Sequence, residues 1–144
     1  MVLLDEEAET LAKILICDDS AFMRMMLKKV LVDHGHEVIG EASDGRQAVQ
    51  MYRQYRPDLT TMDITMPKMD GIEAVRLIHE EDPLARIIMV TAVGQRSIIT
   101  DALKAGASDF IVKPFVPSQV VEAINKVLAS RFFTESLDNN SKKG

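Results

Sequence analysis

A single cysteine, Cys17, is all the thiol chemistry this chain has, and one cysteine excludes an internal disulfide. It sits in an apolar, strand-like run, which gives it the role of a small buried hydrophobe. Tryptophan is absent and other aromatics are few, yet the hydrophobic fraction is that of a soluble globular domain. No apolar run approaches the roughly 20 residues needed to span a bilayer. The acidic start, Met1 to Thr10, lacks the basic residues and long apolar stretch of a signal peptide. A basic excess is missing too. The net charge of -5 argues against non-specific nucleic-acid binding, which neutralises phosphates with Lys and Arg. Neither Gly-x-Gly-x-x-Gly nor Gly-x-x-x-x-Gly-Lys-Ser/Thr occurs, so the usual backbone cradles for nucleotide phosphates are lacking. Internal repeats and low-complexity segments are also absent. The 144 residues fit one domain of ordinary size. These exclusions predict a cytoplasmic protein with no membrane insertion and no nucleic-acid partner.

What is present is a regular alternation. Lys13-Ile-Leu-Ile-Cys17 is a short, continuously apolar run that suits a strand buried on both faces. Met23, Met26, Leu27, Val30 and Leu31 then follow helical spacing up to Gly35. Residues 37–42 predict a second, weaker strand. Asp44-Gly45 opens a helix carrying Ala48, Val49, Tyr52 and Tyr55, which Pro57 stops before a third strand at 59–62. Asp70-Gly71 opens a helix with Ile72, Val75 and Ile78 inward. A fourth strand is expected at 86–91, a helix at 97–105 ending on Gly106, and a fifth strand at 109–113 halted by Pro114. Val120, Val121, Ile124, Val127 and Leu128 mark the last helix. The expected organisation is an acidic lead-in over 1–12, one domain over 13–129 and a fraying polar tail over 130–144.

Five strands alternating with five helices predict an α/β fold, a doubly wound parallel sheet with helices on both faces. Ligand sites in such sheets lie beyond the carboxyl ends of the strands, at a switch in strand order. The residues there are Asp18 and Asp19 after the first strand, Asp63 after the third, Thr91 after the fourth and Lys113 after the fifth. Taken singly, Asp19 or Ser20 reads as a helix cap, Asp63 as a turn former, Thr91 as a strand end, Lys113 as a solvated charge and Pro114 as a strand stop. Taken together, they converge on one rim. Three clustered carboxylates need protons or a cation, and an all-oxygen set away from His34, His36 and His79 favours Mg²⁺ over zinc. A cation, an ammonium and a hydroxyl around one carboxylate suit a phosphoryl group, with Asp63 as the nucleophile.

The motifs Ile16-Cys-Asp-Asp19, Thr61-Met-Asp-Ile-Thr-Met-Pro-Lys-Met-Asp-Gly71, Met89-Val-Thr-Ala92, Ala105-Gly-Ala107 and Phe110-Ile-Val-Lys-Pro-Phe115 carry a resemblance over residues 13–128. The chain resembles the receiver domains of two-component response regulators, above all the single-domain chemotaxis members. The resemblance implies the flavodoxin-like strand order 2-1-3-4-5, of which this family is itself a standard example. It makes Asp63 the phosphoacceptor, with Asp19 holding Mg²⁺ directly, Asp18 partly through water, and the Thr65 carbonyl as a further ligand. Thr91 and Lys113 would contact phosphoryl oxygens, while Phe110 and Pro114 belong to the switch and partner face. The implied partners are a histidine kinase as phosphodonor, the flagellar motor switch protein and a phosphatase, with the receiver itself a monomer and not an enzyme in the ordinary sense. Phe110 stands where many chemotaxis members have Tyr, so a phenolic hydrogen bond is lost. Thr65 and Val93, two residues beyond Asp63 and Thr91, are neither acidic nor amide, which predicts modest self-dephosphorylation. The alternatives are a phosphorelay intermediate, a stand-alone receiver with another partner, or, from a different class, a flavoprotein or enzyme on the same fold.

Overall fold

Apolar runs too short for helices become strands here, and the amphipathic segments between them become their covers. In the computed structural model, which describes the backbone of residues 11–143 and side chains up to 130, the order is β1 (Lys13–Cys17), α1 (Ala21–Asp33), β2 (Glu37–Ala42), α2 (Gly45–Tyr55), β3 (Leu59–Met62), α3 (Gly71–Glu81), β4 (Ile87–Thr91), α4 (Arg96–Ala105), β5 (Asp109–Val112) and α5 (Pro117–Lys143). The five strands form one parallel sheet in the order β2-β1-β3-β4-β5. Strand alternation divides the core into two layers. Leu15, Cys17, Met62, Ile87 and Met89 pack with Ala48, Val49 and Tyr52 of α2, Ala74, Val75 and Ile78 of α3, and Ala102 of α4. Ile14, Ile16, Leu59, Ile88, Val90 and Ile111 face Leu27 and Leu31 of α1 and Val120, Ala123, Ile124 and Val127 of α5. Cys17 is fully enclosed, and burial pushes its thiol pKa far up, as befits an inert core residue.

Several boundaries differ from the sequence reading. β4 begins at Ile87, α4 at Arg96, and β5 ends at Val112, each one residue from expectation. Met26 and Tyr55, which share the expected helical stripes, are exposed, because α1 and α2 bury narrower faces than their apolar residues span. The ordered domain also starts before Lys13: Ala12 is buried, Leu11 N–H donates to the Gly35 carbonyl at 3.0 Å, and the Ala12 carbonyl accepts from Glu37 at 2.9 Å. The rest of the acidic lead-in, residues 1–10, lies outside the described residues. At the other end α5 continues as helix to Lys143, through the stretch read as a fraying tail. No Gly or Pro interrupts the chain between Ser118 and Lys143 to stop it.

Strand order positions the site. From β1 the chain moves outward to β2, then returns past β1 to β3, so the ends of β1 and β3 lie side by side at the switch. The ladder extends one step further, with Asp63 N–H donating to the Cys17 carbonyl at 2.9 Å.

Candidate functional site

The rim residues are held by the backbone before their side chains are considered. Asp18 N–H donates to the Ala42 carbonyl of β2 at 3.0 Å. Ser20, not Asp19, caps α1: its hydroxyl accepts from Met23 N–H at 3.2 Å, leaving the Asp19 carboxylate exposed and uninvolved in the cap. Lys113 N–H donates to the Thr91 carbonyl at 2.7 Å, which ties the end of β5 to that of β4. The loop after β3 is fixed by two glycines. A Cβ on Gly71 would stand 1.9 Å from the Asp63 carbonyl oxygen, and one on Gly45 would stand 2.0 Å from the Met69 carbonyl. Both positions need the missing side chain for close backbone approach. Gly71 N–H also donates to the Ile64 carbonyl at 2.7 Å, while among the described residues no backbone amide donates to the Thr65 carbonyl.

On this frame the carboxylates of Asp18, Asp19 and Asp63 converge, each offering an oxygen within 4.8 Å of the others. Asp18 and Asp63 are buried and Asp19 is exposed. Lys113 Nζ lies 2.7 Å from Asp18 Oδ2 and 3.4 Å from Asp63 Oδ2. One ammonium against three carboxylates leaves the rim with surplus negative charge. Burial pushes the Asp63 pKa above the ordinary carboxylate value, Lys113 opposes that shift, and Asp18 reinforces it. Thr91 is fully buried, and its hydroxyl accepts from Val93 N–H at 3.0 Å. Phe110 lies lower in β5, in register with Met89, and is exposed; Pro114 follows a cis peptide bond from Lys113.

The family described as "Response regulator receiver domain" matches residues 14–125. The chain belongs to that family. This receiver is 60% identical to the chemotaxis protein CheY of Bacillus subtilis, over 81% of its own length and 97% of that protein's. It is 57% identical to CheY of Thermotoga maritima, over 80% of its own length and 96% of that protein's. Among solved structures it resembles a chain of the CheX–CheY–BeF₃–Mg²⁺ complex from Borrelia burgdorferi, with a TM-score of 0.78 and 40% identity. That match covers 80% of this chain and 87% of that one. The receiver is thus a CheY-like signalling module, consistent with a chemotaxis regulator.

An oxygen-only donor set of this size suits a hard divalent cation, and the residues present fit Mg²⁺. Both oxygens of Asp18 are already engaged, by Ser20 N–H at 2.9 Å and by Lys113, whereas the Asp19 carboxylate has no such partner among the described residues. Two rim contacts were not anticipated from sequence. Arg24 donates from Nη1 to the Asp18 carbonyl at 2.6 Å and from Nε to Glu41 Oε1 at 3.1 Å. Arg24 breaks the apolar stripe of α1 one turn after the cap, and that is the only sequence signal it leaves. No described helix is long and apolar enough to cross a membrane.

Proposed function

We propose that this receiver is a single-domain chemotaxis regulator that takes a phosphoryl group on Asp63 from a histidine kinase and then binds the flagellar motor switch. The observation that carries this reading is one buried carboxylate at the tip of β3, with Lys113 Nζ at 3.4 Å and two further carboxylates within 4.8 Å. In the transfer, an Asp63 oxygen attacks phosphorus as the P–N bond to the donor imidazole breaks. The nitrogen keeps the bonding pair and takes a proton from solvent, leaving an acyl phosphate on Asp63. Asp18, Asp19, Asp63 and the Thr65 carbonyl would hold Mg²⁺, which would supply positive charge to offset that of the phosphoryl oxygens. Lys113 compensates Asp63 beforehand and contacts another oxygen afterwards.

The Thr91 hydroxyl already accepts one hydrogen bond and keeps its own proton to donate to the new group. Its movement draws Phe110 inward from its exposed position and reshapes the face made by α4, β5 and α5. With Thr65 and Val93 flanking the site, no side chain positions water well, so the acyl phosphate outlasts a few seconds. The receiver catalyses only its own phosphorylation and dephosphorylation, works in the cytoplasm as a monomer, and passes its phosphoryl group to water with or without a phosphatase.

The test has two arms. Purified protein with acetyl phosphate and Mg²⁺ should gain one phosphoryl group, and Asp63→Asn should gain none. The N-terminal peptide of the flagellar switch protein, titrated with and without Mg²⁺ and beryllofluoride, should bind more tightly to the activated form. Uptake without peptide binding would leave the receiver in place and reassign it to a phosphorelay or another partner. Failure of uptake, with a coloured flavin in the purified protein, would move it to the flavoprotein class.

A further inference from the structure

We infer that Arg24 is a positioning residue of the cation site, acting through the peptide that joins Asp18 to Asp19. This rests on the reading that the three aspartates hold Mg²⁺. The Asp18 residue is clamped at every polar group: its N–H by Ala42, its carboxylate by Ser20 and Lys113, and its carbonyl by Arg24 Nη1 at 2.6 Å. That carbonyl belongs to the planar unit linking Asp18 to Asp19, so fixing its direction fixes where the Asp19 backbone starts. The exposed Asp19 carboxylate is held by no other described hydrogen bond. The Arg24 side chain is partly buried, and Glu41 on β2 holds its Nε at 3.1 Å, with Lys28 Nζ 3.8 Å from the other Glu41 oxygen. A planar fork can hold both acceptors at once, and a lysine ammonium on a shorter, floppier reach cannot.

Charge makes the idea decidable. A positive side chain this near a cation site opposes metal binding, so on electrostatics alone removing Arg24 should tighten Mg²⁺. On positioning, removal should loosen it despite the favourable charge change. Lysine at the same place keeps the charge and loses the fork.

The experiment is Mg²⁺ titration of the full chain by calorimetry at fixed ionic strength, with thermal melting in Mg²⁺-free buffer read alongside. Arg24→Lys should weaken Mg²⁺ binding by roughly tenfold, the scale of outer-sphere support at metal sites. Arg24→Ala should also weaken it, and adding Glu41→Ala to restore charge balance should not recover the loss. A Kd unchanged in Arg24→Lys, or tightened in Arg24→Ala, would overturn the inference and leave Arg24 as a structural ion pair. A lowered melting temperature with Kd unchanged would do the same. Should Arg24→Ala fail to fold, Arg24→Lys decides alone. If the unaltered protein shows no Mg²⁺ binding, the reading of the site fails and the inference fails with it.

Discussion

The two rims of the same sheet are built to opposite standards. At the amino rim side-chain and backbone polar groups close on one another. The Asp58 carboxylate accepts from Lys13 N–H at 2.8 Å, and Asp58 N–H donates to the Lys13 carbonyl at 2.8 Å. The Ser108 hydroxyl accepts from Ile87 N–H at 3.3 Å, and Thr60 N–H donates to the Arg86 carbonyl at 2.8 Å. At the carboxyl rim three carboxylates crowd within 4.8 Å around one lysine, and burial holds the Asp63 proton affinity up. The amino rim is finished as structure. At the carboxyl rim the carboxylates outnumber the one lysine beside them, and that surplus negative charge sets it apart from the other rim.

Three changes would break or sharpen that contrast. The largest effect is expected from Gly71→Ala, whose methyl group must displace the Asp63 carbonyl. A loss of about 3 kcal/mol in urea unfolding is expected, as for severe overpacking, together with weakened Mg²⁺ binding because the loop after β3 moves. A stability loss with Mg²⁺ affinity intact would show that the loop can shift without disturbing the carboxylates.

A smaller effect, of opposite sign, is expected from Asp63→Asn in Mg²⁺-free buffer. The folded carboxyl titrates above its ordinary 3.8, so between the two values the folded state keeps a proton that the unfolded state has released. Stability therefore falls as pH rises through that window, and the cost is fully present above it. Removing the charge should raise stability at pH 7 by about 1 kcal/mol, within the usual range for single substitutions, and flatten that part of the pH profile. Thermal melts of both proteins across acid to neutral pH check it. A destabilised Asn variant would mean that Lys113 outweighs burial.

The smallest effect belongs to the other rim. Asp58→Ala should cost about 1 kcal/mol or less, the worth of an exposed hydrogen bond to backbone, with Mg²⁺ affinity unchanged. Calorimetry alongside unfolding checks both halves, and an altered Kd would show that the rims are coupled through the strands.

Much of this was legible along the chain. The apolar runs at 13–17 and 59–62 became strands at the expected residues, because a run of that length has few other ways to bury itself, and the weaker strand at 37–42 formed where expected at the sheet edge. Asp44 and Asp70 read as helix openers and are N-caps, accepting from Gln47 N–H at 2.8 Å and Glu73 N–H at 2.9 Å. Placement of Asp18, Asp19, Asp63, Thr91 and Lys113 at strand ends could be counted from the sequence as well. Arg24 and Glu41 could not be found that way. Their link spans 17 residues and depends on β2 lying beside β1, which no local pattern encodes.

The sequence alone thus determined the elements, their caps and which polar residues stand at strand ends, because hydrophobic period and turn chemistry act over a few residues. Only the tertiary structure decided that Lys113 sits nearer Asp18 than Asp63, and that Arg24 grips the Asp18 carbonyl. Those outcomes depend on distances between strands that meet only after the sheet has formed, where burial and neighbouring charges set which contact wins.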